Sequence, residues 1–478
     1  MIQSKEILEI LPLVILAFSA TIILLLEVFI KKSETVIFGF SLASVTAAIV
    51  TSFLYLNREM ILFNKYLKIT NSAVAFSVII LAGILITIIA SKNYIEKEKI
   101  NFGEYYSLLL FSVMGMFLMI YANDILVIFI GLELMSICFY VLAGFLRLRQ
   151  KSNESALKYF LLGAFMTGFI LYGIALIYGI TGTTNLSLIY ANPKIFTNYV
   201  FIIGTGLFFI GFMFKIGVFP FQMWIPDVYE GAPTIVSGML STAGKIAAVG
   251  TILPIILSLN ILNFRIIFSI AAVATMMYGN VIALAQTNIK RLLAYSSIAS
   301  AGYIFVGIAA MNEFALQGIA YYLIAYTFMQ LGAFIVVSLL EKKDDGSREY
   351  KNVDLDYYKG LGKRNPVIAL FMTLFLFSLA GIPPFAGFWG KYYLFYDAIQ
   401  SNLIWLSVVG IMLSLVGVYY YLKIIVYMWF TDSDEYLIGE EVSNSGLGIT
   451  ATALAVLGTI VFGVDPNIFF RIFKFIIV

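Results

Sequence analysis

The sequence predicts an all-α membrane protein that crosses the bilayer many times. Two observations carry this prediction: 61% of the 478 residues are hydrophobic, and only 12% are charged. Soluble domains typically contain about 45–50% apolar and about 25% charged residues. A third observation is that long apolar runs recur along the whole chain, separated by short polar segments. Nearly all of the chain is therefore expected to lie in lipid, and no soluble domain separates from it.

The apolar runs define the predicted spans, because about 20 apolar residues cross a bilayer as one helix. The first run has no small-residue cleavage site after it, so we expect a membrane helix and not a signal peptide. We predict 14 transmembrane spans, at residues 7–30, 35–56, 72–91, 105–122, 124–146, 155–180, 201–225, 233–258, 264–285, 290–310, 316–341, 366–395, 402–430 and 446–472.

The distribution of Lys and Arg predicts the orientation, because cytoplasmic loops are enriched in these residues. With the N-terminus outside, most of the 30 Lys and Arg residues fall on the inner side, including Lys31, Lys32 and Lys99, and fewer fall outside, among them Lys474. We predict a multi-pass protein of the inner (plasma) membrane with both termini on the outer side. The charged segment 341–365 is expected to be a solvated cytoplasmic loop.

Two proline-containing breaks at matching places predict an internal repeat. One interrupts span 7 at Pro220, and the other interrupts span 12 at Pro383-Pro384. If spans 4–8 and 9–13 are two copies, each has five helices, and the odd number inverts one copy in the membrane. Inverted repeats with interrupted helices mark transport folds. The predicted units are a three-helix segment (1–104), a first repeat (105–260), a second repeat (261–430) and a C-terminal span (431–478).

Ionisable residues inside the predicted spans are the main functional candidates: Glu133, Lys215, Lys245 and Lys391. Such residues cost roughly 2.5–3.5 kcal/mol on insertion scales and are functional by default. We predict that Glu133 pairs with Lys215 and that the lysines exchange protons. The alternative for this pair is a structural salt bridge between spans 5 and 7. Backbone carbonyls freed by the second break, close to Lys391, are expected to bind water or ions if they face a cavity.

Further candidates are polar groups near these lysines. Tyr322, Tyr326 and Gln330 recur every four residues in span 11, and Lys158 lies near the start of span 6. Without histidine, proton transfer between lysines would need water held by such hydroxyls, although hydrogen bonding between helices explains any single hydroxyl more simply. The segment 224–233 is too acidic and proline-rich for us to expect it to remain helical in lipid. Its two carboxylates, Asp227 and Glu230, either cap the next helix, which we favour, or gate proton entry.

Several classes of redox chemistry are excluded by the residues present. The chain has no histidine and one cysteine, Cys138, so it lacks haem-binding histidines and the thiolates for an iron–sulfur cluster. It also shows no Walker motif and no glycine fingerprint of a dinucleotide site. We therefore expect no cofactor and no metal in this chain.

The motifs resemble those of the antiporter-like membrane subunits of respiratory complex I, from span 4 through span 13. The resemblance rests on Glu133, on FKIGVFPFQMWIPDVYEGAPT with Lys215, on Lys245, on QTNIKRLLAYSSIASAGY (286–303) and on GIPPFAGFWGKYYLF with Lys391. Within this family, the chain is most similar to the subunit N branch. The other branches usually carry histidines in the stretch after the first broken helix, where this chain has Gln222 and Tyr229.

The resemblance implies a proton-translocating subunit of the membrane arm of NADH:quinone oxidoreductase, with Glu133–Lys215, Lys245 and Lys391 as a relay driven by quinone reduction elsewhere. Quinone, NADH, flavin and iron–sulfur clusters would belong to the assembled complex. The partners would be other membrane-arm subunits, lipid, water and protons, and no nucleic acid. Two alternatives stay open: a subunit of a stand-alone multisubunit cation/proton antiporter, and a solute carrier whose lysines bind an anionic substrate.

Overall fold

The computed structural model describes residues 4–30, 33–98, 100, 103–259, 264–312, 314–342, 353–432 and 446–473. Over these residues the protein is a bundle of helices, with one antiparallel hairpin of strands β1 (Met60–Leu62) and β2 (Leu67–Ile69) that the sequence analysis did not predict. The helices of the described residues are α1 Ser4–Leu8, α2 Leu11–Phe29, α3 Glu34–Phe53, α4 Asn71–Glu98, α5 Gly103–Tyr121, α6 Ile125–Ala143, α7 Gln150–Thr181, α8 Leu186–Tyr190, α9 Tyr199–Ile216, α10 Trp224–Gly231, α11 Thr234–Leu259, α12 Arg265–Ala283, α13 Ile289–Ala310, α14 Ala315–Leu340, α15 Leu361–Arg364, α16 Pro366–Ala380, α17 Ala386–Gln400, α18 Ile404–Phe430, α19 Gly446–Val464 and α20 Asn467–Ile472.

Among the described residues, 13 helices are long and apolar enough to cross a membrane. They match every predicted span except 366–395, which consists of the two 15-residue helices α16 and α17. The prediction of a multi-pass helical membrane protein is therefore confirmed. The number of 14 spans depends on counting α16 and α17 as one interrupted span, and it stays a prediction.

Both interruptions begin at a glycine and not at a proline. Helix α9 is followed by Gly217 with φ +86°, and helix α16 is followed by Gly381 with φ +84°. Each glycine N–H donates to carbonyls of the preceding turn, a C-terminal cap that glycine forms without a side-chain penalty. In both places a cis X-Pro peptide bond follows. The shared geometry of the two caps is consistent with an internal repeat, whose boundaries stay predictions.

The segment after the first break is helical, which contradicts the expectation for residues 224–233. Helix α10 accommodates Pro226 because this proline lies in the first turn, where backbone N–H groups have no partner within the helix. The Trp224 indole donates to the Phe214 carbonyl at 2.9 Å and stacks on Tyr159 with ring centroids 4.4 Å apart. These contacts hold α10 against α9 and α7.

The centre of the bundle is formed by α11, α13 and α14. In the most apolar 18 residues of these helices, 89%, 100% and 89% of the residues are buried, respectively. The corresponding share is 33% for each of α2, α3, α7 and α18. Side chains on the three central helices therefore face protein on nearly all sides. Lys245 lies on α11, so the fold places this cation in the most buried part of the molecule.

The predicted solvated loop 341–365 packs against the bundle where it is described, so that expectation is wrong for residues 353–361. Leu355, Tyr358 and Leu361 are buried, and the Ile289 amide donates to the Val353 carbonyl at 2.8 Å. Apolar side chains among the charges explain this packing. Residues 343–352 of this loop lie outside the described residues, as do Lys31, Lys32, Lys99 and Lys474 of the orientation argument.

Candidate functional site

Three predicted membrane lysines are buried, with exposed fractions of 6% for Lys215, 1% for Lys245 and 7% for Lys391. Each ammonium group donates a hydrogen bond to a serine and lies near a tyrosine ring, an arrangement that attracts a cation. The Nζ-to-centroid distances are 5.4, 5.6 and 4.9 Å to Tyr140, Tyr326 and Tyr303, respectively. Across the part of the chain that the structure describes, none of the three forms an ion pair with a carboxylate. Hydroxyls, carbonyls and ring faces stabilise these amines.

The expected direct pair between Glu133 and Lys215 is not formed. Lys215 Nζ donates to Ser136 Oγ at 2.7 Å and to the Tyr140 hydroxyl at 3.3 Å. Glu133 is half-buried, and its Oε1 accepts a hydrogen bond from Thr167 on α7 at 2.8 Å. Glu133 and Ser136 are one turn apart on α6, so the carboxylate lies one helical turn from the serine that Lys215 contacts.

Lys245 is held by helix α13. Its ammonium donates to the carbonyl oxygen of Ser297 and to Ser297 Oγ, the latter at 2.6 Å. Ser297 belongs to the motif at 286–303 that the sequence analysis singled out. The small residues before Lys245 on α11, including Gly238 and Gly244, lie against aromatic side chains of α14 and α6. These small residues let α11 pack closely against α14 and α6.

Lys391 occupies the second break. Its ammonium donates to the carbonyls of Leu379 and Ala380 at 3.0 and 3.1 Å, and to Ser414 Oγ at 3.0 Å. The last carbonyls of a helix have no partner within it and carry partial negative charge. The carbonyls that we expected to bind water or ions therefore accept hydrogen bonds from the protein's own lysine.

Tyrosine rings connect the surroundings of Lys245 with those of Lys391. The Tyr322 and Tyr326 rings stack at 6.0 Å, and the Tyr303 and Tyr322 rings are 6.5 Å apart. The hydroxyls of Tyr322 and Tyr326 are buried without a hydrogen-bond partner among the described residues, and Ser300 and Ser297, respectively, lie near them. Neither hydroxyl forms a direct hydrogen bond between helices among the described residues.

Lys158 lies apart from the buried lysines. Its Nζ is 2.6 Å from Asp227 and 2.7 Å from Glu154, and its side chain is 42% exposed. Arg291 continues this surface ion network, 2.9 Å from Asp227 and 2.8 Å from Glu230. The preferred expectation that these carboxylates cap α11 is wrong, because they pair with basic residues on α7 and α13. Lys158 therefore belongs to the surface ion network that surrounds the two carboxylates of α10.

The surface ion network lowers the pKa of two carboxyl groups. Burial raises the pKa of Asp227, but hydrogen bonds from Lys158 and Arg291 outweigh burial and leave it below its ordinary value. Burial likewise raises the pKa of Glu230, and Lys151 and Arg291 outweigh it. Both groups are therefore held as carboxylates at neutral pH.

Four contact residues of the site were missed from the sequence: Ser136, Tyr140, Thr167 and Ser414. Ser136 and Tyr140 follow Glu133 by three and seven residues, so one face of α6 carried a signal that went unused. Thr167 and Ser414 lie in apolar spans that carry other hydroxyl residues, and nothing in the sequence separates them from those. Among the described residues, no group of three or more His, Cys, Asp and Glu could hold a metal ion.

Comparisons with known proteins agree on one family. The family model described as NADH:quinone oxidoreductase/Mrp antiporter, TM, matches residues 122–417. NADH-quinone oxidoreductase subunit N of Trichlorobacter lovleyi is 44% identical over 433 residues, covering 89% of this chain and 88% of that protein. A chain of respiratory complex I from Thermus thermophilus superposes with a TM-score of 0.81 at 29% identity, covering 95% of this chain and 97% of its own length. A chain of the Mrp complex from Dietzia has a TM-score of 0.83 at 19% identity, covering 99% and 97%, and shows the fold alone.

Proposed function

Because the chain belongs to the NADH:quinone oxidoreductase/Mrp antiporter transmembrane family, we propose that it is a proton-translocating subunit in the membrane arm of an NADH:quinone oxidoreductase. Redox chemistry, with NADH, quinone, flavin and iron–sulfur clusters, belongs to other subunits of that complex. The single observation that carries the proposal is the burial of Lys215, Lys245 and Lys391 on hydroxyls and carbonyls, without a paired carboxylate among the described residues.

In the proposed mechanism, quinone reduction elsewhere in the complex changes the electrostatic interaction of Glu133 with Lys215. Moving the carboxylate away from the amine favours loss of a proton from Lys215, and moving it closer favours uptake. Lys245 and Lys391 then exchange protons through the hydroxyls of Tyr326 and Tyr322 and through water. Expelling a proton against about 150–200 mV takes roughly 3.5–4.6 kcal/mol at about 2.3 kcal/mol per 100 mV. A pKa change of about three units supplies that amount.

Two structural features of the proposal extend beyond the site. We propose that spans 4–8 (105–260) and 9–13 (261–430) are the two inverted repeats, flanked by the segments 1–104 and 431–478. The matching caps at Gly217 and Gly381 support this division. We also propose that the protein lies in the plasma membrane with both termini outside, as the Lys and Arg distribution favours.

The second candidate function is a subunit of a stand-alone cation/proton antiporter. Its support is the likeness to the Mrp complex chain, which at 19% identity concerns the fold. The 44% identity to an oxidoreductase subunit over 89% of the chain favours the first function. The third possibility considered, a carrier of anionic solutes, has no observation in its favour, since the three amines are occupied by protein groups.

Purification in mild detergent tests the proposal. We expect a chain tagged in its native membrane to purify with proteins that oxidise NADH and reduce quinone in the same preparation. Purification with other multisubunit antiporter proteins, without NADH oxidation, would contradict the proposal and favour the second candidate.

A further inference from the structure

Five charged residues are gathered at one end of the bundle, where α4 and α14 end and α7 and α13 begin. This inner charge cluster consists of Lys97, Glu98, Arg149, Lys290 and Glu341. Arg149 Nη2 is 2.7 Å from Glu98 Oε2, and Lys290 Nζ is 3.7 Å from Glu341 Oε1. The side chains of these two pairs are almost fully buried: 5% exposed for Arg149, 1% for Glu98, 1% for Lys290 and 0% for Glu341. Burying several charges is costly, and replacing buried ion pairs by apolar residues is often neutral or stabilising, so packing does not explain the cluster.

Glu341 lies between the half-buried Lys97 and Thr234, the first residue of the helix that carries Lys245. Lys97, which is half-buried, donates to the Glu341 carbonyl oxygen. Glu341 Oε1 accepts a hydrogen bond from the hydroxyl of Thr234, the first residue of α11. Glu341 Oε2 is buried and has no hydrogen-bond partner among the described residues. This oxygen is therefore able to take up a proton without breaking a contact within the described protein.

A row of polar groups leads from this cluster to Lys245. Lys290 and Ser297 are seven residues apart on α13, which is two helical turns or about 10 Å, and Ser297 contacts Lys245. Gln330 lies against the intervening turn, because its Nε2 donates to the Leu293 carbonyl at 3.1 Å. Gln330 Oε1 and the Tyr229 hydroxyl are buried without partners among the described residues. Polar atoms thus line the route at each turn.

We propose that the inner charge cluster takes up protons from the inner aqueous side for Lys245, and that Glu341 is the group that accepts them. The proposal rests on the proposed proton-translocating function and on the proposed orientation, with both termini outside. In the first step, a proton from inner water binds Glu341 Oε2. Lys290 then loses an N–H proton, which passes along the polar row to neutral Lys245, and the Lys290 amine takes the proton from Glu341. One proton moves from inner water to Lys245, and Glu341 and Lys290 return to their starting states.

Titratable groups on several neighbouring elements act on the Glu341–Lys290 pair. Burial raises the pKa of the Glu341 carboxyl above its ordinary value, although Lys290 and the Thr234 hydroxyl oppose this effect. The other titratable groups that act on the Glu341–Lys290 pair are Lys97, Arg149, Lys151, Glu230 and Tyr358.

The test is proton pumping by the intact complex in proteoliposomes, measured against the pH of the solution facing the inner side of this chain. Glu341→Gln keeps the shape of the side chain but removes the proton-accepting oxygen, so we expect pumping to fall by about 10². Glu341→Asp should restore a large part of pumping, with half-maximal pumping at a different inner pH. The control is Asp356→Asn, at a carboxylate that is 63% exposed on the same loop, and it should pump normally.

Each outcome separates this inference from the proposed function. Normal pumping by Glu341→Gln, with pumping lost in Lys245→Met, would overturn the inference alone. Normal pumping by Lys245→Met would contradict the proposed function itself. If the Glu341→Gln complex does not assemble, Glu341→Asp decides, because a pumping–pH profile identical to that of the unaltered complex would overturn the inference.

Discussion

Lys215 donates a 2.7 Å hydrogen bond to Ser136, and this serine lies one helical turn from Glu133 on α6. The Glu133 carboxylate accepts its hydrogen bond from Thr167 on the neighbouring helix. The carboxylate and the amine therefore have different hydrogen-bond partners, and α6 carries both Glu133 and the serine that Lys215 contacts. A carboxylate held by another helix is able to move relative to the amine when that helix shifts. This is the arrangement that the proposed relay requires.

Lys391→Met should abolish proton pumping, with a fall of about 10² or more, because the variant has no proton to exchange beside the second break. Lys391→Arg should also pump poorly, since a guanidinium group does not lose its proton at accessible pH. Pumping in reconstituted complex is the measurement. The matched control is Lys423→Met, at a half-buried lysine on α18, and it should leave pumping unchanged. Normal pumping by Lys391→Met would remove this residue from the relay.

Tyr326→Phe should slow proton pumping several-fold and leave thermal stability unchanged or slightly raised. The physical reason is that the hydroxyl has no hydrogen-bond partner among the described residues, so removing it breaks no contact there and relieves the cost of burying a polar group. The measurements are pumping and the melting temperature of the purified complex. Lower stability with normal pumping would show that the hydroxyl is structural.

The sequence made part of this site predictable. Charges in apolar runs are costly, so the lysines at 215, 245 and 391 were identifiable as functional candidates from their positions inside the predicted spans. The two breaks were also identifiable from their prolines, although each interruption begins earlier, at Gly217 and Gly381. The partners of the lysines were not predictable in the same way, because serine and threonine occur throughout apolar helices and only tertiary packing decides which of them reach an amine.

The inner charge cluster shows the second limit of prediction from sequence. Glu98, Arg149 and Glu341 occur near span ends, where charged residues are usually solvated, and nothing in their spacing separates them from ordinary loop charges. Their burial arises because four helix ends meet at one place. The segment 224–233 was misjudged for another reason. Its proline content counted against a helix, but Pro226 lies in the first turn of α10, where a proline is tolerated.

Gly217→Ala should destabilise the protein by about 1–2 kcal/mol, because φ at this position is +86° and a side chain in the left-handed region is strained. An added Cβ would also lie 2.1 Å from Ile225 Cδ1. Thermal unfolding in detergent checks the prediction. Gly206→Ala on the same helix is the matched control, since its added Cβ meets nothing within 4 Å, and it should unfold at the original temperature or slightly above.

Stability should fall at acidic pH through the surface ion network. The pKa values of Asp227 and Glu230 are lowered from 3.8 and 4.5, so the stability they contribute is present above those values. It is lost as pH falls through the lower pKa values of the folded protein. Melting temperatures measured from about pH 6 down to about pH 3 should therefore drop below about pH 4. Arg291→Gln should weaken this pH dependence, and an unaltered slope in that variant would contradict the assignment.

Proton pumping by a purified complex that carries Lys215→Ala tests the central claim most directly. The account predicts that pumping is lost and that quinone reduction falls with it, because the buried amine beside Ser136 links the carboxylate of Glu133 to the proton path. Normal pumping with normal quinone reduction in that variant would contradict the account.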